Sequence, residues 1–458
     1  LKGLVIEDFW GGNQMVRFTE KLSKRELARF LFPLILSSIF LQLYAPIGAA
    51  AAGRFLNQEA VAVIGACSAW DLILDALFIS MTTGFAICVN RAAGIGKDER
   101  LREMVQGAVL LSAVMAVGSF LFALFPDPFM ALANVPPQLR PVSREYLRFL
   151  LLGGGFQGLQ NLLICLIQGS GESRFPAVVT VGAVVAQTGL SLLFLGCLRM
   201  GVEAVSLAVL LSQAGSVLLL SVYFFKGPWG KRLLLPFKGG NPFIWRGLAA
   251  SGSAKVMMTL LANAGAFVLQ REVNQFPVDT IAGYTYANSL MNLFTQPLAA
   301  YAIAANIMSA QNVGRGDWEM AASCNRRMIL HSMAWCGLYG AAAPAAVPVL
   351  IRLMAGDGAS SQLLHAGISW LFVVPFSYPF LVFLMICRNA LQGMGRYMSL
   401  VLLGFLEMAV KLLTAWILIP AMGYGVVCLS TFFIWAVPGL TGLWLYQRKM
   451  GEAKRGAE

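Results

Sequence analysis

Asp71 and Asp75 are the two residues of this sequence best placed to do chemistry. They stand four apart in an otherwise apolar run, so a helix would set both carboxylates on one face, a single turn from each other. Counting the helical rise from a start near Val61 puts Asp71 about 15 Å deep, close to the middle of a bilayer. An ionisable group there is expensive and marks a functional candidate. Two ionised carboxylates at this spacing repel, which favours one of them keeping its proton; an exchangeable proton inside the membrane is what a proton-coupled carrier needs. The pattern equally suits carboxyls that face a water-filled vestibule or bond to neighbouring hydroxyls. Both readings stay open.

Few other polar side chains interrupt the apolar runs. Glu407 and Lys411 are also four apart, in the favourable order for an ion pair, and read as a structural pair, a gate or a substrate counter-ion, with Glu407 a further cation-coupling candidate. Lys255 has no carboxylate within its own run, so it either snorkels to the cytoplasmic interface or meets a partner on another helix. Asn288, Asn292 and Gln296 recur at helical spacing just before Pro297, and Gln157, Gln160 and Asn161 share a face of another run. Amide stripes of this kind do not face lipid; they knit helices together or line a substrate cavity. The eight cysteines lie in or beside apolar runs without paired spacing, as small buried hydrophobes do. No metal-ligand cluster and no cofactor motif is read.

The elements that must position these groups follow from composition. Of 458 residues 58% are hydrophobic and 12% charged, about half the charged share of a soluble chain, so this is a polytopic membrane protein. Twelve runs are long enough to cross a bilayer: 28–52, 60–90, 101–125, 143–168, 175–198, 203–225, 243–270, 280–311, 321–351, 362–388, 396–420 and 425–447. Alternate loops, starting from the N-terminus, hold 25 of the 34 Lys and Arg residues, with Arg388 and Arg396 counted after the tenth run. Both termini are therefore expected in the cytoplasm. The net charge of +12 is accounted for by that asymmetry, and a nucleic-acid partner is not needed to explain it.

The chain is also duplicated. Gln168-Gly169-Ser170-Gly171 recurs as Gln392-Gly393-Met394-Gly395, offset by 224; Gly94-Ile95-Gly96 recurs as Gly314-Arg315-Gly316, offset by 220; Met200-Gly201 recurs as Met422-Gly423, offset by 222. Landmarks in one order at nearly constant spacing mean two homologous halves. An even number of helices per half makes the repeats parallel, related by a pseudo-twofold axis along the membrane normal. The fold expected is all-α, twelve transmembrane helices in two parallel six-helix bundles. Residues 1–20 read as a disordered N-terminal extension, 21–226 as the N-lobe, 227–242 as a basic cytoplasmic linker, 243–449 as the C-lobe and 450–458 as a C-terminal tail.

Two such halves, with Gly-x-Gly ending helices two and eight and Gln-Gly-x-Gly after helices four and ten, resemble the multidrug and toxic compound extrusion (MATE) family. The likeness extends to Leu43-Tyr44 and Gly53-Arg54-Phe55 at the end of helix one, to Gln311 through Asp317, and to Glu407 through Gly423, a stretch similar to the bacterial DinF-like branch. The resemblance implies lobes around a V-shaped cavity, alternating access, and export of organic, often cationic, compounds against inward H+ or Na+, with no cofactor and no catalytic residue. It implies a multi-pass protein of the bacterial inner membrane, working as a monomer on a small organic substrate. Tyr44 would join the amides in the cavity. Yet three positions where relatives carry coupling carboxylates hold Gly48, Ser191 and Ala262. Either Asp71 and Asp75 supply the proton site, or Glu407 does, or the chain is an uncoupled carrier. A lipid-linked precursor flippase of the same superfamily is the alternative within transport, favoured by cationic grooves and disfavoured by twelve rather than fourteen helices. An intramembrane prenyl-transferring enzyme is a distant third, since Asp71-x-x-x-Asp75 has no second carboxylate cluster to bind a diphosphate through metal.

Overall fold

The computed structural model describes residues 23–42, 55, 63, 64, 67, 70–96, 98–132, 140–227, 242–355 and 360–455. Tyr44, Gly48 and the Gly53-Arg54 pair lie outside the described residues, as do the N-terminal extension and almost all of the basic linker. The described chain is helical, with twelve long segments in the expected order. These are α1 (Lys24–Gln42), α2 (Trp70–Ile95), α3 (Asp98–Leu124), α4 (Arg140–Gly169), α5 (Arg174–Cys197) and α6 (Glu203–Lys226). They continue as α7 (Pro242–Val273), α8 (Val278–Arg315), α9 (Trp318–Ala355), α10 (Ser361–Gly393), α11 (Tyr397–Met422) and α12 (Tyr424–Arg455). Among the described residues nine helices are long and apolar enough to cross a membrane, or ten if the two parts of α9 on either side of its 72° bend form one span. Two fall outside that count: α1, with four charged residues in its first six, and α8, with its amides.

The duplicated motifs prove to be matched helix ends. Gly171 and Gly395 both adopt left-handed backbone, at φ 94° and 77°, where an L side chain would be strained. Each closes the same cap: Glu172 N–H donates to Ile167 O and Gly171 N–H to Gln168 O, while Arg396 N–H donates to Leu391 O and Gly395 N–H to Gln392 O. Gly96 and Gly316 end α2 and α8 in the same conformation, at φ 74° and 86°. The earlier glycine of each Gln-Gly-x-Gly has a different cause. A Cβ on Gly169 would strike the Asn90 amide of α2, and one on Gly393 would strike the backbone of α8 at Asn306 and Ala310. The motif thus encodes a close helix crossing followed by a stop.

The chain divides into two compact units, Leu1–Val256 and Met257–Glu458. The division falls inside α7 rather than in the basic stretch 227–242. Its cause is packing within the first unit: Ser251 Oγ donates to Gly84 O at 2.8 Å, a Cβ on Gly84 would meet the Gly252 backbone, and Leu248 is fully buried among α2, α3 and α4 residues. In that unit α4 is the hub, packed on α2, α3 and α6. In the second, α8 and α10 pack on each other and carry α9 and α12. A capping box starts α1, with Ser23 and Glu26 exchanging backbone and side-chain hydrogen bonds that hold the Glu26 carboxyl below its usual range. The C-terminal stretch continues α12 as far as Arg455, where Glu452 pairs with Arg396, Arg448 and Lys449.

Several helices carry a break in the regular ladder, among them α10, where Val374–Ser377 tightens to a 3-10 turn. A π-helical turn occupies Asp75–Ile79 in α2, another Leu193–Cys197 in α5, and a third Thr414–Leu418 in α11. In α8 the interruption is Pro297. The eight cysteines are all free; Cys67, Cys88, Cys324, Cys336, Cys387 and Cys428 are buried, Cys165 is half-buried and Cys197 exposed.

Candidate functional site

In the first unit the polar groups gather where α2 crosses α4. The approach is close because α4 is bare there: a Cβ on Gly154 or Gly158 would press on the Phe78 ring, and one on Gly155 would meet the α3 backbone at Ala116. Ser119 of α3 ties the crossing, donating to Leu151 O and accepting from Gly155 N–H. With Phe78 seated against these glycines, the π turn of α2 faces the amides of α4. Gln157 Nε2 donates to Asp75 Oδ1 at 2.5 Å. One turn along α4, Asn161 Nδ2 donates to Ile79 O at 3.1 Å, to Thr82 Oγ1 at 2.9 Å and to Thr83 Oγ1 at 3.0 Å. Those hydroxyls donate in turn to the carbonyls of Phe78 and Ile79.

Asp75 is exposed and Asp71, one turn earlier, is half-buried. Asp71 lies near the Cys67 thiol and the Tyr146 ring, at the edge of an apolar cluster that includes Trp70, Leu74 and Leu147. Of the three α4 amides read from the sequence, Gln157 and Asn161 join this network, and Gln160 is half-buried on the same helix. Lys255 is half-buried on α7, within electrostatic reach of Cys165.

In the second unit the charges form a triad rather than a pair. Lys411 Nζ sits 2.7 Å from Glu407 Oε1, and Arg388 Nη1 sits 3.4 Å from Glu407 Oε2. The three side chains are only 11%, 12% and 13% exposed for Lys411, Glu407 and Arg388. Lys411 also donates to Ala262 O of α7 at 3.1 Å. Two glycines permit that reach: a Cβ on Gly265 would meet Met408 and the Lys411 side chain, and one on Gly404 would meet Met258. Arg388 corrects the charge assignment from sequence, which placed it in a cytoplasmic loop. The helix runs on to Gly393, so Arg388 stays inside the bundle, turned towards α11. The sequence did carry a signal. At the offset of 224 the first half has Ile164, so a permanent cation replaces an apolar residue of the repeat.

The α8 amides line one side of their helix. Asn292 is exposed, Asn288 and Gln296 are half-buried, and Gln296 Nε2 donates to Asn292 O at 3.2 Å. Ser191, at one of the substituted family positions, is 1% exposed, and its Oγ has no partner among the described residues. Ala262, at another, is the residue whose carbonyl Lys411 holds.

The MatE family profile matches residues 33–193 and again 255–417, two stretches whose starts are 222 residues apart, in register with the internal repeat. Among curated proteins, "Probable multidrug resistance protein YoeA" of Bacillus subtilis (strain 168) is 26% identical over 317 residues, 66% of this chain and 68% of that one. "Probable multidrug resistance protein YpnP" of the same strain is 21% identical over 304 residues, covering 66% and 67%. Among solved structures, a MATE in complex with MaL6 superposes at a TM-score of 0.87 over 97% of this chain and all of that one, at 16% identity. A MOP-superfamily transporter from Pyrococcus furiosus Vc1 (DSM3638), described as having a binding pocket of reverse polarity that suggests a different function, superposes at 0.85 over 96% and 99%, also at 16% identity. Likeness at that level of identity shows a shared fold.

Proposed function

The chain belongs to the MatE family of multi-pass membrane transporters, and from that premise we propose that it is a secondary active exporter of organic compounds, driven by inward proton flow through Asp71 and Asp75. The observation that carries this reading is the α2–α4 crossing. A carboxylate on an accessible face, hydrogen-bonded to the Gln157 amide beside a π turn, has a second carboxylate one turn away. An amide can donate to the ionised Asp75 and accept from the protonated one, so Gln157 serves both states of the cycle. Release of the proton changes the charge of this crossing, and the exposed carboxyl lets it exchange with water.

Glu407, the other coupling candidate, is assigned a different part in this reading. Glu407 is held between two cations and serves as their counter-ion. The amides of α4 and α8, together with Tyr44, are proposed to contact the substrate. The setting is the bacterial inner membrane with both termini cytoplasmic, and the working unit is a monomer.

Purified protein in liposomes tests this directly. A fluorescent cationic dye and an anionic one are offered under an imposed proton gradient, then under a sodium gradient. Uphill movement with the proton gradient, lost in the Asp71→Asn, Asp75→Asn double variant while its expression is unchanged, is the expected result. Full uphill transport by the double variant refutes the assigned site, and mere equilibration of both dyes refutes coupling.

A further inference from the structure

The Arg388–Glu407–Lys411 triad is unbalanced. Two cations share one carboxylate, and among the described residues no other Asp or Glu lies within ion-pair distance of either. The imbalance is concentrated on one edge of Arg388. Among the described residues its Nη1 faces Glu407 at 3.4 Å, its Nη2 meets only the Met385 thioether at 3.7 Å, and its Nε is buried without an acceptor. Sulfur in a thioether is a weak acceptor. A guanidinium offers its Nε and Nη2 hydrogens as a parallel fork that matches the two oxygens of a carboxylate or phosphate. That fork is the part of this side chain left without an oxyanion. The other cation is satisfied differently, by Glu407 Oε1 at 2.7 Å and Ala262 O at 3.1 Å.

An excess positive charge enclosed to this degree is costly unless something negative joins it. The surroundings allow that. Met385 and Met408, next to Arg388 and Glu407, are half-buried, and an unbranched methionine side chain is readily displaced. We infer that the Nε/Nη2 edge of Arg388, backed by Lys411, is a binding site for the oxyanion of an amphiphilic acid, a carboxylate or phosphate group on an apolar body, which takes the place of the Met385 sulfur. This rests on the carrier reading only for the ligand's route, and it narrows the substrate class to acids. Lys411 and Glu407 position the site, and Arg388 makes the contact. The two ligand oxygens accept from Nε–H and Nη2–H, and the surplus positive charge of the triad is offset, to neutrality when the ligand is a monoanion such as a carboxylate.

The test is equilibrium binding to the full-length protein in phosphatidylcholine nanodiscs without any gradient, so it stands or fails apart from proton coupling. Octyl phosphate and octyltrimethylammonium are the probes, matched in chain and opposite in charge. Octyl phosphate is expected to bind wild type roughly tenfold or more tightly than it binds Arg388→Gln, the loss of one charge-assisted bidentate contact. Arg388→Gln leaves the neutral Glu407–Lys411 pair intact, which protects folding; a monodisperse gel-filtration peak checks it. Arg388→Lys keeps the charge without the fork and is expected to fall between the two. Equal affinity of wild type and both variants for octyl phosphate overturns the site, as does tighter binding of octyltrimethylammonium. Competition by phosphatidylglycerol added to the disc assigns the oxyanion to a lipid headgroup. Competition by inorganic phosphate assigns it to a soluble phosphate, and neither competing leaves a free amphiphile; all three outcomes support the class.

Discussion

Removing Glu407 should hurt the second unit far more than removing Arg388, although both changes break the same contact. Glu407 lies 2.7 Å from one cation and 3.4 Å from the other. At an effective dielectric of about 20 those separations correspond to roughly 6 and 5 kcal/mol of gross attraction, most of it spent on desolvation. Glu407→Gln leaves two enclosed cations facing one another with no carboxylate, and breaking a buried charge partnership in this way costs about 3–5 kcal/mol. Arg388→Gln instead leaves a one-to-one pair at the shorter distance and removes the surplus cation, at a cost below about 2 kcal/mol. For a unit of about two hundred residues each kcal/mol moves the midpoint by roughly 2–4 °C. Glu407→Gln should therefore lower the melting temperature by roughly 6–20 °C, and Arg388→Gln by less than about 8 °C and by less than Glu407→Gln. Fluorescence-detected gel filtration of heated samples in one detergent would measure both. The double variant Glu407→Gln, Lys411→Met should melt higher than Glu407→Gln alone, because it removes one of the stranded cations. Equal shifts for the two single variants, or a double variant worse than Glu407→Gln, would show that the triad is not governed by charge balance.

Two further outcomes can be checked alongside. Gln157→Leu deletes the amide that bonds Asp75 and should slow uphill proton-driven transport by roughly tenfold, as read by initial rates under an imposed proton gradient. Gly171→Ala and Gly395→Ala should each cost about 1–2 kcal/mol, matched because each strains the same left-handed cap; Gly393→Ala should cost about as much or more, because its Cβ meets backbone. Thermal melts of the three compare them.

What the sequence disclosed depended on how local each cause was. The halves were legible because a helix stop needs glycine, and the same stop recurs at Gly171 and Gly395 and at Gly96 and Gly316. The spans were legible from apolar length, with α2 reaching Ile95 and α8 Arg315, a few residues beyond where hydropathy fades, because each runs on to its glycine cap. The Glu407–Lys411 pair is an i, i+4 contact and could be read directly. Its third member could not be read that way, since Arg388 meets Glu407 only through the packing of α10 on α11. The comparison of Arg388 with Ile164 was available in the repeat and was the one clue. Asp71 and Asp75 were visible as charges in an apolar run, but the Gln157 partner depends on the bare face of α4 admitting Phe78. The π turns left no trace in residue types, because no side chain requires them.

The positions of those ladder breaks bear on how the two halves came to differ. The π turn at Leu193–Cys197 and the one at Thr414–Leu418 are 221 residues apart, so they occupy the same site of the repeat. Advancing Leu77, in the middle of the α2 π turn, by the 220 that relates Gly96 to Gly316 lands on Pro297. One pair shares the same irregularity in both halves, and the other sets a π turn in one half against a proline at the same height in the other. At these two heights of the repeat the helix yields in both halves, whichever residues produce the break.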